Sequence, residues 1–471
     1  MARTDRRILN DPRFGHARGE PVVIRFEGRD LAAFDGEPVS VALHASGVDI
    51  LSRSLKFHRP RGLFCAKGHC GRCLMRIDGV PNMNGCRVRC ASGMSVLREP
   101  GYPSADFDVL GASDLLFRDQ LDYHHMGTSS RASIRAITRL VRGVSGLGEL
   151  PDLMPTPEKT IGDLHTEVLV VGGGLAGLGI GATLSEAGIG VVLVDSDKAG
   201  GRWLDAFDEN SSAPRARADQ LRSRIEAAGG RALSRTEAIG FFEEGFSVVR
   251  DADGLKRVHA ARTVVCTGSY DRSAAFVQND LPGVMSARAT EALAVRYGVT
   301  PGERVMIWGD GLNGARTALM LIIAGVELVA MATPSDLLVA SPEDIDAIRA
   351  SGCAILTGHH LRAAKGRRRV SGVEFESASA NRRAGTCDTL ILDLPPLPAF
   401  ELVAQSGARV TWDGDHGRFV PERDDAGRTT RTDVYVAGEA AGVAPRADLI
   451  EADASRVADA IVRDLRGGGR P

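Results

Sequence analysis

Five of the eight cysteines lie between Cys65 and Cys90, and four of them, Cys65, Cys70, Cys73 and Cys86, read C-x4-C-x2-C-x12-C. The first three share the spacing of plant-type [2Fe-2S] centres, in which thiolates from one glycine-rich loop hold the irons and a fourth cysteine closes the site. Gly68 and Gly71 let such a loop fold with its amides toward the sulfurs. Four thiolates also suit a structural zinc ion, but zinc sites usually pair two short C-x2-4-C knuckles and this segment has one. Plain thiols are the third reading. Cys90 follows Cys86 by four residues, and spacing alone does not decide which of them closes the site; Cys86 is the expected ligand. From Ile50 to Ile77 there are seven Lys/Arg and no acid. That charge would offset a negative thiolate-bound cluster, and a solvated basic face or a docking surface explains it equally well.

Two further constellations suit nucleotides. Thr166–Val171 is a short β run feeding Gly172, Gly174 and Gly177 of a G-x-G-x-x-G turn, then a helical segment through Ala187. In that setting the first glycine makes the turn, the second admits a pyrophosphate to the helix N-terminus, and the third lets helix and strand pack closely. A second strand, Val191–Val194, ends in Asp195, whose carboxylate is placed for ribose hydroxyls. Farther on, Arg304–Trp308 runs into Gly309, Gly311 and Gly314 and a helical stretch through Ile323. Here the next strand, Glu327–Met331, ends in Ala332-Thr333, with neither an acid for an NAD ribose nor an arginine for the NADP phosphate. Three readings follow for this second loop: a fold kept for structure alone, bound NAD(P), or another nucleotide.

The elements that must position these residues follow from length and composition. At about 150 residues per domain, 471 residues imply roughly three domains. A net charge of -2 argues against nucleic acid as a partner, while 55 glycines and 5% aromatics suit a nucleotide-binding α/β protein. From Pro21 to Val109 the pattern is strand-like, with turns at Glu27–Asp30 and Ile77–Val80. The expected division is a β-rich ferredoxin-like domain over 1–110, a helical linker over 111–160, a nucleotide-binding domain over 161–275 and 395–471, and an inserted second Rossmann domain over 276–394. The polar N-terminus lacks a secretory signal, and the apolar run near Leu319–Val326 falls short of the ~18 to 20 residues that span a bilayer. The expectation is a cytoplasmic protein with no membrane span. Lys365–Arg369 reads as a solvated hairpin tip, and the adjacent His124-His125 point apart too far to share a metal. Cys266, Cys353 and Cys387 read as core residues, and no C-x-x-C in the α/β region supports disulfide chemistry. No catalytic general base can be named.

Downstream segments carry a family resemblance. Gly200-Gly201-Arg202, Thr263–Cys266 with Thr267-Gly268, and Thr432–Ala437 with Gly438-Glu439 together resemble the FAD signature of two-dinucleotide-binding-domain flavoproteins, with Glu439 where that motif usually has Asp. The resemblance implies FAD at the first loop, with Asp195, Gly201, Arg202, Thr267, Gly268, Gly438 and Glu439 around it. Ser54–Gly62, Ser104–Leu110 and Asp280–Met285 look like the α subunit of heterotetrameric sarcosine oxidase over residues 20–460. That subunit is about twice as long, ends in a folate-binding half and lacks the four cysteines; folate chemistry is therefore not expected. The cysteines resemble the small [2Fe-2S] subunits of hydrogen cyanide synthase, hydroxyproline dehydrogenase and opine dehydrogenases. These resemblances imply an α/β fold with two Rossmann-like domains after a [2Fe-2S] domain. They also imply an electron relay from a flavin-containing β subunit that oxidises a secondary amine or N-alkyl amino acid. Further candidate partners are a one-electron acceptor and another small subunit. An NAD(P)H-dependent reductase with a fused ferredoxin, and a scaffold subunit with vestigial sites, are the alternatives.

Overall fold

A computed structural model describes residues 5–9, 11–55, 57–99, 101–112, 130–144, 161–207, 213–242 and 245–467. His124-His125 lie outside them. The chain forms two compact units, Met1–Met154 with Ser273–Pro395, and Pro155–Arg272 with Pro396–Pro471.

The first unit opens with the Pro21–Phe26 and Arg29–Phe34 strands, antiparallel about a two-residue turn. Ile24 and Phe26 are buried while Val23 and Arg25 face out, the period-2 alternation of a half-covered sheet. Ser95–Arg98, Leu74–Ile77 and Val80–Asn84 complete a five-stranded sheet. One element within the strand-like stretch is helical. Val39–Ala45 is a helix with every residue buried. Its Val-Ser-Val start mimics strand alternation, but a segment enclosed on all sides needs no polar face, so periodicity has nothing to report there. Ile24, Leu43 and Met75 share one core with Met285, Leu293 and Val299 from the later half of the unit.

That later half carries a parallel sheet in the order Ala354–Leu356, Glu327–Ala332, Arg304–Gly309, Thr389–Asp393, Val284–Ser286. Arg304–Gly309 feeds the Gly314–Ile323 helix. The order reverses between Arg304–Gly309 and Thr389–Asp393, the switch point beside which ligands of open α/β sheets bind. The hairpin of His359–Lys365 and Gly372–Ser377 has the basic run at its tip. This tip is tethered as well as solvated: Arg368 reaches Asp106 at 3.1 Å, and Arg369 reaches Asp49 at 3.1 Å.

In the second unit the parallel strands run Arg231–Leu233, Val191–Val194, Gly162–Val171, Leu255–Val265, Val434–Val436, and Ser247–Arg250 and Glu237–Phe241 extend the sheet antiparallel. The helices Leu175–Glu186 and Ala447–Arg466 contribute Leu178, Leu184, Val457 and Ile461 to one core against this sheet. Among the described residues no helix is long and apolar enough to cross a membrane.

Candidate functional site

The fold gathers the first four cysteines. Cys65, Cys73 and Cys86 are buried and Cys70 is half-buried. The thiols of Cys70 and Cys86 act on Cys65, and that of Cys86 acts on Cys73. These interactions pull Cys65 and Cys73 toward the thiolate, while the same partners push Cys70 and Cys86 toward the protonated form. The Lys67 amide donates to Cys65 Sγ at 3.4 Å. Among the described residues no three or more His, Cys, Asp or Glu are drawn round a single ion position. Four cysteine thiolates are nevertheless the donor set that a binuclear iron-sulfur cluster takes, two to each iron. The donor set therefore fits a [2Fe-2S] centre. Cys90 packs in the same core cluster as Cys73 and Cys86. Its amide donates to the Glu37 carbonyl at 2.7 Å, and burial, reinforced by the Glu37 charge, pushes its thiol up to about 12.

Two supports of this module escape motif reading. Arg72 lies over the Phe64 ring at 4.6 Å and donates to the Asn279 carbonyl at 3.3 Å, anchoring the loop between Cys70 and Cys73. His58 Nδ1 meets Asp108 Oδ2 at 2.8 Å, both side chains buried, and Arg53 donates to the carbonyls of His58 and Ala105 at 2.6 and 2.7 Å. The only signal for this pair lay in the family-like segments that contain it, because His58 and Asp108 are fifty residues apart.

At the first glycine loop the three glycines have different surroundings. A Cβ on Gly172 would sit 2.3 Å from the Cys266 carbonyl oxygen, and one on Gly177 would sit 1.9 Å from that of Gly172. Strand-to-helix packing requires both. A Cβ on Gly174 would meet nothing within 4 Å. This open side lies at the start of a helix whose N-cap is Gly174 itself with no capping side chain, the geometry in which helix N-terminal amides can meet a phosphate. Asp195 Oδ2 accepts from the Gly173 amide at 2.7 Å and Oδ1 from the Asp197 amide at 2.8 Å, which fixes the carboxylate beside the loop. A cleft of about 620 Å³ opens there, lined by Gly172, Asp195, Thr236, Glu237, Thr267, Tyr270 and Glu401 among others. Its size suits a nucleotide.

The remaining predicted residues surround this loop. A Cβ on Gly201 would lie 3.0 Å from Gly174 Cα. Thr267 donates to the Ala399 carbonyl at 2.9 Å, and the Gly268 carbonyl accepts from the Ala399 amide at 3.0 Å. Gly438 donates its amide to buried Asp453 at 2.8 Å. Glu439 accepts from Arg202 at 3.3 Å and from Ser269 at 2.5 Å.

The second loop looks alike in sequence and differs in space. Asp393, at the end of the adjacent strand, accepts from the Gly314 amide at 2.6 Å through Oδ2, and its carbonyl accepts from Gly311 at 2.9 Å. Behind it, buried Glu291 takes Arg316 in a two-point pair at 3.0 and 2.9 Å and Thr317 at 3.2 Å. None of Asp393, Glu291 and Arg316 stands in a recognisable motif. The three other cysteines are buried, and burial pushes Cys353 up to about 11, Cys387 up to about 12, and Cys266 upward as well.

Residues 19–101 match the family model described as a 2Fe-2S iron-sulfur cluster binding domain, and residues 166–456 match that of the pyridine nucleotide-disulphide oxidoreductases. The chain belongs to the pyridine nucleotide-disulphide oxidoreductase family. Its family domain follows an iron-sulfur domain, so one chain joins an iron-sulfur site to a flavin- or nucleotide-binding oxidoreductase fold. It is similar to the sarcosine oxidase α subunit of Rhizobium meliloti (strain 1021), at 27% identity over 95% of this chain and 46% of the relative. It is also similar to an opine oxidase subunit of the same strain, at 25% identity over 59% of this chain and 67% of the relative. The chain thus spans under half the length of the sarcosine oxidase subunit. Among solved structures, L-proline dehydrogenase from P. horikoshii shares the fold, with a TM-score of 0.67 and 21% identity over 99% of this chain and 76% of that one.

Proposed function

We propose that this family member is the FAD- and [2Fe-2S]-containing electron-relay subunit of a heteromeric amine or amino-acid dehydrogenase or oxidase. A flavin-containing β subunit oxidises a secondary amine or N-alkyl amino acid, and a one-electron acceptor takes the electrons onward. The observation that carries this reading is the presence on one chain of a four-cysteine site, three of its thiols buried, and an open glycine loop with an acid beside it. A flavin handles electrons in pairs or singly and a [2Fe-2S] centre carries one at a time, so the two together link hydride chemistry to a one-electron acceptor.

The chain's own residues bind and orient. Cys65, Cys70, Cys73 and Cys86 hold iron, with the Lys67 amide donating to the Cys65 sulfur. Gly174 and the start of the Leu175–Glu186 helix receive the pyrophosphate, and Asp195 takes the ribose hydroxyls. Arg202 and Ser269 hold the Glu439 carboxylate in place near the loop.

The test is co-expression with the product of a neighbouring gene. A panel of amines and amino acids is then added while flavin and iron-sulfur absorbance are followed. Bleaching of both that requires the partner is the expected result. Full-rate amine oxidation by this chain alone would overturn the reading.

A further inference from the structure

The two glycine loops have the same motif and opposite interiors. The middle glycine of a dinucleotide loop is there so that a pyrophosphate can come close. At Gly174 that space is open; at Gly311 a Cβ would meet Asp393 Oδ1 at 2.4 Å and its Cγ at 2.7 Å. The outer glycines face the same residue. A Cβ on Gly309 would lie 1.8 Å from the Asp393 carbonyl oxygen, and one on Gly314 would lie 2.8 Å from Asp393 Oδ2. Packing against Asp393 alone therefore accounts for all three glycines of the second motif.

We propose that Asp393 bars this loop to dinucleotides: its carboxylate occupies the anion position at the N-terminus of the Gly314–Ile323 helix that a pyrophosphate would need. The Gly314 amide, the natural phosphate anchor there, already donates to Oδ2 at 2.6 Å. Oδ1 is buried with no hydrogen-bond partner among the described residues, and it points into the space against Gly311. Asp393 is 4% exposed, so solvent screens its charge little. The nearby cation does not neutralise an incoming diphosphate, because Arg316 is engaged by Glu291 and Asn313. An incoming NAD(P) would bring two phosphates against a fixed carboxylate and find its amide taken. The second Rossmann domain thus serves as a support within its unit, and reducing equivalents do not enter the chain from NAD(P)H at this loop. This goes beyond the relay reading and does not depend on it.

The experiment uses the full chain with its own cofactors and NADH or NADPH as probe. Trp308 immediately precedes Gly309 on the same strand, and its emission reports a reduced nicotinamide bound at this loop. The part of the signal lost in Trp308→Phe is assigned to this site, and the part that remains to Trp203 and Trp412. Wild type is expected to show no saturable Trp308-dependent quenching. Asp393→Asn keeps an oxygen for Gly314 and removes the charge, and Asp393→Ala also opens the space. Both are expected to bind at least about tenfold more tightly than wild type, since juxtaposed like charges cost several kcal/mol. If Asp393→Ala does not fold, the isosteric Asp393→Asn decides. Saturable Trp308-dependent binding to wild type, unchanged in the variants, would overturn the proposal. So would folded variants that bind no better than wild type.

Discussion

Asp393→Asn should stabilise the protein at neutral and alkaline pH, and the size of the effect follows from the position of this side chain. Burial, above all, raises the Asp393 carboxyl from its ordinary 3.8 to about 6; the Glu291 charge adds to this, and the Gly314 and Asn313 amides and Arg316 oppose it. That move is equivalent to about 3 kcal/mol between the two protonation states. The folded-state value lies above the unfolded one, so the contribution to stability is fully present below about pH 4 and is lost as pH rises through about 6. At pH 8 the wild type therefore carries an ionised, half-paired carboxylate at a cost of up to about 3 kcal/mol. Asparagine has the same shape, still accepts from Gly314, and has no charge to desolvate. It gives up the extra strength of a charged acceptor, so the net gain should be about 1 to 3 kcal/mol at pH 8, shrinking toward zero near pH 4. Urea unfolding between pH 4 and pH 8 measures this, followed by Trp308 emission with Trp203 and Trp412 replaced by Phe. A variant less stable than wild type at pH 8, or a difference that does not change with pH, would refute the reasoning.

Other outcomes follow from the same contacts. Cys86→Ser should lose bound iron and visible iron-sulfur absorbance, while Cys90→Ser should keep both; iron assay and absorbance of the purified proteins decide. Gly174→Ala should fold normally, since its Cβ meets nothing within 4 Å, yet lose the nucleotide from the first loop, read as flavin content. Gly311→Ala should do the reverse, forcing a methyl against the Asp393 carboxylate and costing about 1 to 3 kcal/mol of stability by overpacking, with flavin content unchanged. Arg316→Ala leaves Glu291 buried without its ion-pair partner and should cost about 3 to 5 kcal/mol, measured by urea unfolding.

The extent to which this molecule was legible in its sequence depended on whether a feature was local. Pro21–Phe26 and Arg29–Phe34 pair where alternation and the Glu27-Gly28 turn place them, because a half-buried strand writes its pattern in consecutive residues. The strand-turn-helix units at Gly172 and Gly309 were likewise visible. Val39–Ala45 was not, since a helix buried on every side has no amphipathic signature. The cysteine spacing pointed to a cluster of thiols, and in the fold the thiols of Cys70 and Cys86 act on Cys65 and that of Cys86 on Cys73. The choice between Cys86 and Cys90 could not be read from spacing, because both follow a turn at workable distance. In the fold their surroundings differ, since the thiols of Cys65 and Cys73 act on Cys86 and the Glu37 charge acts on Cys90, and the iron content of the two serine variants makes the choice.

The two glycine loops show why a motif alone does not specify a ligand. G-x-G-x-x-G records only that a backbone must be approached closely at three points; what approaches is set elsewhere in the chain. At Gly174 the neighbouring strands leave the space empty, and Asp195 borders a cleft. At Gly311 the same opening is filled by a side chain 79 positions beyond Gly314, delivered by the strand that pairs with Arg304–Gly309. The lack of an acid or arginine after Met331 counts against NAD(P) only at the ribose end of such a ligand. Asp393 acts at the pyrophosphate, the part every dinucleotide shares. Restoring an acid at Ala332 or Thr333 would therefore not by itself make the second loop bind NAD, whereas neutralising Asp393 removes the obstacle common to NAD and NADP alike.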